Sequence, residues 1–392
     1  MNPAQRPLAA LIGLAGLAGS AIGLFGTLVP TLLAGAGWNE VEVGRNGSLF
    51  FLCVMLAAPL AAALMRRVGV RAVVAGGLVL AVAGGIAFPL LQGSLPWTLL
   101  RAATGLGVGL YMVGGQAALA ALEGDGRRAR ASGLQALAFG LGLGLGPLAG
   151  GAFYGHSPVL AFAAGAVVLL PGLWLVRRLP DLPSVPPAAP SLALWRQASL
   201  PLHAVFAYGA AEATLMSLFP VFMLARGHDA AAMGQAFAAF VAGSLLAVLP
   251  VTRAADRWGA RRAIAACAAA GVAACVTLTL LPAQAPAWPV AVVCAVAGAA
   301  AGPLFPLALA LLGDEVPAER LAGGTALFTT AFGLGSLCAP WLAGLAMRTW
   351  GAAHLFTVTA ALLATLVARL AWRTLRMPRA AAPVLESPCK PS

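Results

Sequence analysis

Long apolar runs, each broken by a short segment carrying Arg, Asp, Glu or Pro, recur from one end of the chain to the other. A helix needs about 20 apolar residues to cross a bilayer. Twelve runs meet that requirement, at roughly 8–35, 46–65, 72–92, 95–121, 131–154, 158–177, 200–225, 230–251, 262–282, 286–312, 321–347 and 351–373. They are long and uniformly apolar, whereas a membrane barrel shows alternating segments of about ten residues, so the pattern predicts an all-α membrane protein. The first run has only Arg6 before it and no small-residue cleavage site followed by a polar domain, which predicts a retained first helix.

Composition supports the same reading. The 392 residues are 61% hydrophobic and 9% charged, with a mean hydropathy of +0.91; soluble domains carry about 25% charged residues. The net charge of +12, Lys+Arg 24 against Asp+Glu 12, matters through its placement. An N-terminus inside assigns to the cytoplasm Arg6; Arg66, Arg67 and Arg71; Arg127, Arg128 and Arg130; Arg177, Arg178 and Arg196; Arg253, Arg257, Arg261 and Arg262; Arg320; and Arg369, Arg373, Arg376, Arg379 and Lys390. The outside keeps Arg45, Arg226 and Arg348, so both termini are expected in the cytoplasm, in a plasma membrane of bacterial inner-membrane type. The six cysteines (53, 267, 275, 294, 338, 389) form no CxxC and have no His at ligand spacing, which excludes a disulfide scaffold and a zinc site.

The chain repeats itself. Thr27-Leu28-Val29-Pro30 matches Ser217-Leu218-Phe219-Pro220 at an offset of 190, which also relates Gly37 to Gly227, Gly44 to Gly234 and Gly69 to Gly259. Later the offset is 193: Ala138-Phe139-Gly140-Leu141-Gly142 recurs as Ala331-Phe332-Gly333-Leu334-Gly335. Two parallel six-helix pseudo-repeats follow, over 1–177 and 200–377, with a Pro-rich linker at 178–199 and a tail at 378–392. Parallel repeats place a substrate site between the halves, near the bilayer midplane.

Three motifs add a family. Asp256-Arg257-Trp258-Gly259-Ala260-Arg261-Arg262 resembles the D-R-x-G-R-R loop of the major facilitator superfamily, with Thr252 at the position of its leading Gly. In the matching loop of the first half Arg66 replaces the acid. Arg101-Ala102-Ala103-Thr104-Gly105 resembles the family's R-x-x-x-G motif, whose buried Arg the resemblance assigns to proton coupling; an Arg snorkelling to the outer surface is the other reading. Gly133, Gly142, Gly146, Pro147, Gly150 and Gly151 reproduce G-x8-G-x3-G-P-x2-G-G. That pattern resembles the antiporter motif of the twelve-helix drug/proton antiporter branch, and the resemblance implies export. Small residues there let helices approach closely and the Pro bends the helix, so a conformational role is expected for these six residues and for Asp256, Arg257, Gly259 and Arg261.

One acid, Glu212, falls at mid-depth of an apolar run; Glu40, Glu42 and Asp229 are expected in outer loops and the remaining acids on the cytoplasmic side. A carboxyl at that depth is a candidate proton carrier, the alternative being a permanently protonated Glu bonded to a backbone carbonyl. His203 lies about two turns below it. Phe25, Tyr111, Gln116, Gln135, Tyr208, Phe219, Phe237, Phe305 and Phe328 are expected either to line a central cavity suited to amphipathic or lipophilic compounds or to pack against helices and lipid.

The sequence therefore predicts a monomeric secondary transporter, exporting such compounds by proton-coupled alternating access. The alternative is a proton symporter or facilitator importing a small metabolite. It holds no pattern for an enzyme, a cofactor, a metal or nucleic acid.

Overall fold

The computed structural model describes residues 6–122, 128–179 and 191–376, which are helices joined by turns and short irregular segments, with no strand among the described residues. Twelve α-helical elements follow in order: α1 Arg6–Gly35, α2 Glu40–Ala87, α3 Ser94–Leu122, α4 Arg128–Tyr154, α5 Pro158–Val176, α6 Ser199–Ala225, α7 Ala230–Trp258, α8 Ala260–Leu280, α9 Ala287–Ala301, α10 Leu304–Glu315, α11 Leu321–Trp350 and α12 Thr357–Arg376. Most of the expected linker (180–190), the tail, and Arg127, Glu123, Asp125 and Asp181 lie outside the described residues, as do the side chains of Arg128, Arg130, Arg373 and Arg376.

Among the described residues, ten segments are long and apolar enough to cross a membrane. One of them, α2, has 48 residues, about 72 Å of helix at 1.5 Å per residue, more than twice a bilayer core. Gly69, at φ 80° and ψ 162°, breaks it into two stretches. Its counterpart Gly259, at φ 88° and ψ 140°, ends α7 and starts α8 in the same way. Positive φ at both glycines turns the chain back within one residue, a conformation that costs a side-chain-bearing residue free energy. Another span, Ala287–Glu315, contains the short break at Gly302-Pro303 that separates α9 from α10.

The structure corrects three boundaries. Asn39, expected in a loop, is the N-cap of α2: its side chain accepts from the Val41 and Glu42 amides at 3.1 Å, and Glu42 accepts from the Asn39 amide at 2.9 Å. Glu40 and Glu42 therefore stand in the first helical turn, where their charge favours the helix N-terminus. Asp229 caps α7 likewise, accepting from the Ala232 amide at 2.8 Å. At its other end α7 runs to Trp258, so Asp256 and Arg257 belong to its last turn rather than to a loop.

Helix packing follows the glycines. α1 lies against α4, where Cβ atoms at Gly142 and Gly146 would collide with the Gly16 and Ser20 carbonyls. α6 pairs with α11 in the same manner: Gly335 meets the Phe206 carbonyl, and the Ser336 hydroxyl donates to the Gly209 carbonyl at 3.2 Å. Two seams join the early helices to the late ones, α2 against α11 and α4 against α7. They start at the Asn39 and Asp229 end and reach mid-depth, where Gly333 touches Met55 and Gly144 touches Val241.

Candidate functional site

α6 is the most enclosed of the spanning helices: 78% of its most apolar window is buried, against 28–50% for the others. It touches α1 and α2 on one side and α10 and α11 on the other. A polar group on this helix is therefore held away from lipid, and Glu212 is that group. Its side chain is half-buried, and the Tyr208 hydroxyl, one turn earlier, lies beside its carboxyl. Among the described residues no cation pairs with it; the one ion pair is elsewhere.

Tyr208 carries Glu212 into an aromatic group. Its ring lies 5.7 Å from Phe305 and 6.0 Å from Phe332, and Phe305 meets Phe328 edge-on at 5.4 Å. Phe305 remains 36% exposed although it stands within a span. It follows the Gly302-Pro303 break, where the missing proline N–H interrupts the helical ladder and displaces α10 from α9. Phe332, absent from the sequence-based set, joins this cluster because it is four residues before Ser336, on the face that α11 turns to α6.

Arg101 occupies the second position of interest. It sits about two turns into α3 and is 3% exposed, so it does not snorkel to the surface. Its guanidinium lies 4.3 Å from the centroid of the Phe50 ring, and its Nε has no hydrogen-bond partner. Beside it is a cavity of about 30 Å³, lined by Phe25, Phe50, Phe51, Phe88, Thr104, Met216 and smaller residues. Met216 is one turn beyond Glu212 on α6, so about 6 Å of helix separates the carboxyl from the wall of the Arg101 cavity.

The other expected residues divide. Phe25 lines the Arg101 cavity. Gln135 is half-buried and Gln116 exposed. Tyr111 is buried and donates its hydroxyl to the Leu14 carbonyl. Phe219, Phe237 and Phe328 are almost wholly enclosed in packed cores. His203 bonds to the Thr365 hydroxyl at 3.3 Å. Of the loop residues, Asp256 and Arg257 are exposed. Arg261 reaches Glu315 at 2.9 Å, an acid that spacing alone does not distinguish from Asp314 or Glu319. Gly133 has open space around it, whereas Gly142, Gly146 and Gly150 face α1 and Gly151 faces the start of α7.

A glycine-seamed bundle of membrane helices, with one carboxyl and one guanidinium at depth on its central elements, defines a polytopic membrane protein of transporter type. The family model for the Major Facilitator Superfamily matches residues 11–206 and again 202–388, and the chain belongs to that family. It is 25% identical over 355 residues to the uncharacterized MFS-type transporter YfkF of Bacillus subtilis (strain 168), covering 88% of this chain and 90% of that one. Among solved structures, a mutant form of the nucleoside transporter NupG superposes with a TM-score of 0.79 at 12% identity, over 93% of this chain and 99% of the other. A bacterial homologue of the human lysosomal transporter Spinster, in an inward-facing and unoccupied conformation, gives 0.69 at 14% identity, over 96% and 95%. At these identities the structures are similar in fold.

Proposed function

We propose that this transporter exports small amphipathic or lipophilic compounds in exchange for protons, with Glu212 as the proton carrier. The observation that carries the reading is the half-buried Glu212 carboxyl on the most enclosed helix, without a cationic partner among the described residues and next to partly exposed rings. A carboxyl held there can exchange protons with whichever side the cleft opens to, while the Tyr208, Phe305 and Phe332 rings offer an apolar face to a substrate. Arg101, across the cavity whose wall Met216 forms, is the second candidate coupling residue. The resemblance of the α4 glycine pattern to the antiporter motif supports export, and Gly142 and Gly146 pack closely on α1 within the same half.

The same reading places twelve crossings, α2 counting as two and α9 with α10 as one, in two six-helix bundles over 1–177 and 200–377. Both termini lie in the cytoplasm of a plasma-membrane protein that works as a monomer. The Asn39 and Asp229 end, from which the two seams run, then faces outward. A second reading, import of a small metabolite by symport or facilitation, has support from the fold shared with a nucleoside transporter.

The test is protein in proteoliposomes with a pH dye inside, under imposed gradients of lipophilic cations, neutral drugs, nucleosides and other metabolites. Substrate-driven proton movement that Glu212→Gln abolishes supports coupling, and its sign separates antiport from symport. Substrate movement without proton flux, unchanged in Glu212→Gln, overturns the coupling and leaves a facilitator.

A further inference from the structure

The Arg101 guanidinium has a cavity beside it and, among the described residues, no oxygen bonded to it. It is 3% exposed, its Nε lacks a partner, and its recorded contact is the face of Phe50. No carboxylate reaches it from the elements packed around the cavity. On α2, Glu42 is engaged in the capping box of Asn39; on α6, Glu212 lies one turn from the wall-forming Met216; α1 and α3 supply no described acid. A buried charge without a counter-charge costs several kcal/mol, and Phe50 recovers only about 1–2 of them. The cavity, about 30 Å³, is large enough to admit more than a single water and small enough to exclude a bulky group. Its walls are otherwise rings, Met216 and aliphatic side chains, and the hydroxyl of Thr104 is engaged with the Arg101 carbonyl at 3.1 Å.

We infer that the Arg101 cavity is a binding site for one small monovalent anion, a halide or a carboxylate group. One guanidinium neutralises one negative charge, so a divalent anion would leave a second buried charge uncompensated. The fork of N–H groups suits a carboxylate, and the Phe25, Phe50 and Phe88 ring edges, which are positive, suit a halide. This site depends on neither the direction nor the coupling of transport.

The experiment is equilibrium dialysis of radiolabelled chloride, and separately of radiolabelled acetate, against the full chain in lipid nanodiscs, with sulfate, a divalent anion that a single guanidinium does not neutralise, holding the ionic strength constant. One saturable site per chain is expected, lost in Arg101→Met and weakened but present in Arg101→Lys. Displacement by acetate assigns the site to anionic groups in general, so that a substrate carboxylate can enter it. Saturable chloride that acetate fails to displace assigns it to the free halide. Absence of saturable binding of both ions in the wild type overturns the inference and leaves a water-filled cavity; so does binding that persists unchanged in Arg101→Met. The wild-type titration decides even if Arg101→Met does not fold.

Discussion

Gly44 of α2 lies against the carbonyl oxygen of Pro340 in α11, and a Cβ at position 44 would overlap it. The repeat mates do the same: Gly234 of α7 lies against the carbonyl of Pro147 in α4. One residue set further, Gly344 meets the Glu40 carbonyl and Gly151 meets that of Ala230. The two seams are thus related by the offsets of 190 and 193 found in the sequence. In each, the carbonyl of a helix-bending proline receives a glycine from the other half.

That contact is testable because backbone cannot give way as a side-chain tip can. Gly44→Ala is expected to hold the α2–α11 seam apart. In a cysteine-free background carrying Ser48→Cys, a membrane-impermeant maleimide should label faster once Gly44→Ala is added. Ser48 is a suitable reporter, since its hydroxyl accepts from the Trp341 amide at 3.2 Å across this seam. Equal labelling rates would show that the seam opens without regard to this contact.

The seam region also buries polar atoms that find no partner: Asn46 Nδ2, Ser217 Oγ and Thr214 Oγ1. Each orphaned group costs about 1–3 kcal/mol when dry, and water satisfies it when the seam opens. The sealed state is therefore set less stable than its packing alone would make it. Ser217→Ala should raise the unfolding temperature and slow labelling at Ser48→Cys, the reverse of Gly44→Ala. A lower unfolding temperature would instead mean that Ser217 makes a bond the sealed state needs.

The repeat was legible because glycine answers a backbone requirement that acts locally. Gly37 and Gly227, and Gly69 and Gly259, hold positive φ in both halves. The capping boundary was legible too, in principle: Asn39 with Glu42 three residues later is a helix-start signature, but the apolar run begins further on and masks it. Partners across helices were not. Nothing in the order of Asp314, Glu315 and Glu319 marks Glu315 for Arg261, and nothing in the spacing of aromatic residues separates exposed Phe305 from enclosed Phe219 and Phe237. Those depend on the rotation of each helix about its axis, which an all-apolar helix encodes weakly.

The Arg261–Glu315 pair is expected to matter little to stability. The Arg261 side chain is 45% exposed, and pairs of that kind contribute about 0–1 kcal/mol. Arg261→Gln should leave the unfolding temperature within the scatter of the wild type. Any transport defect in Arg261→Gln then reports on the loop's role in switching. A large loss of stability would show that Glu315, whose Oε2 is buried without a partner, relies on this cation to remain folded in place.

Phe305 gives the sharpest test of where a substrate rests. Its ring contacts Tyr208, Phe328 and Phe332, yet a third of it stays exposed. A core residue truncated to Ala would cost about 3–5 kcal/mol, whereas a ring that presents its face to a cleft serves binding as well as packing. Phe305→Leu preserves most of the packed volume and removes the aromatic face, which is worth about 0.5–1.5 kcal/mol to a ring-bearing ligand. Such a loss corresponds to a rise in KM of about two- to twelvefold with kcat retained. Aliphatic substrates should show a smaller change than aromatic ones. A fall in kcat with KM unchanged would move Phe305 from the binding surface to the rocking of α10, because the Gly302-Pro303 break beside it is where that helix can bend.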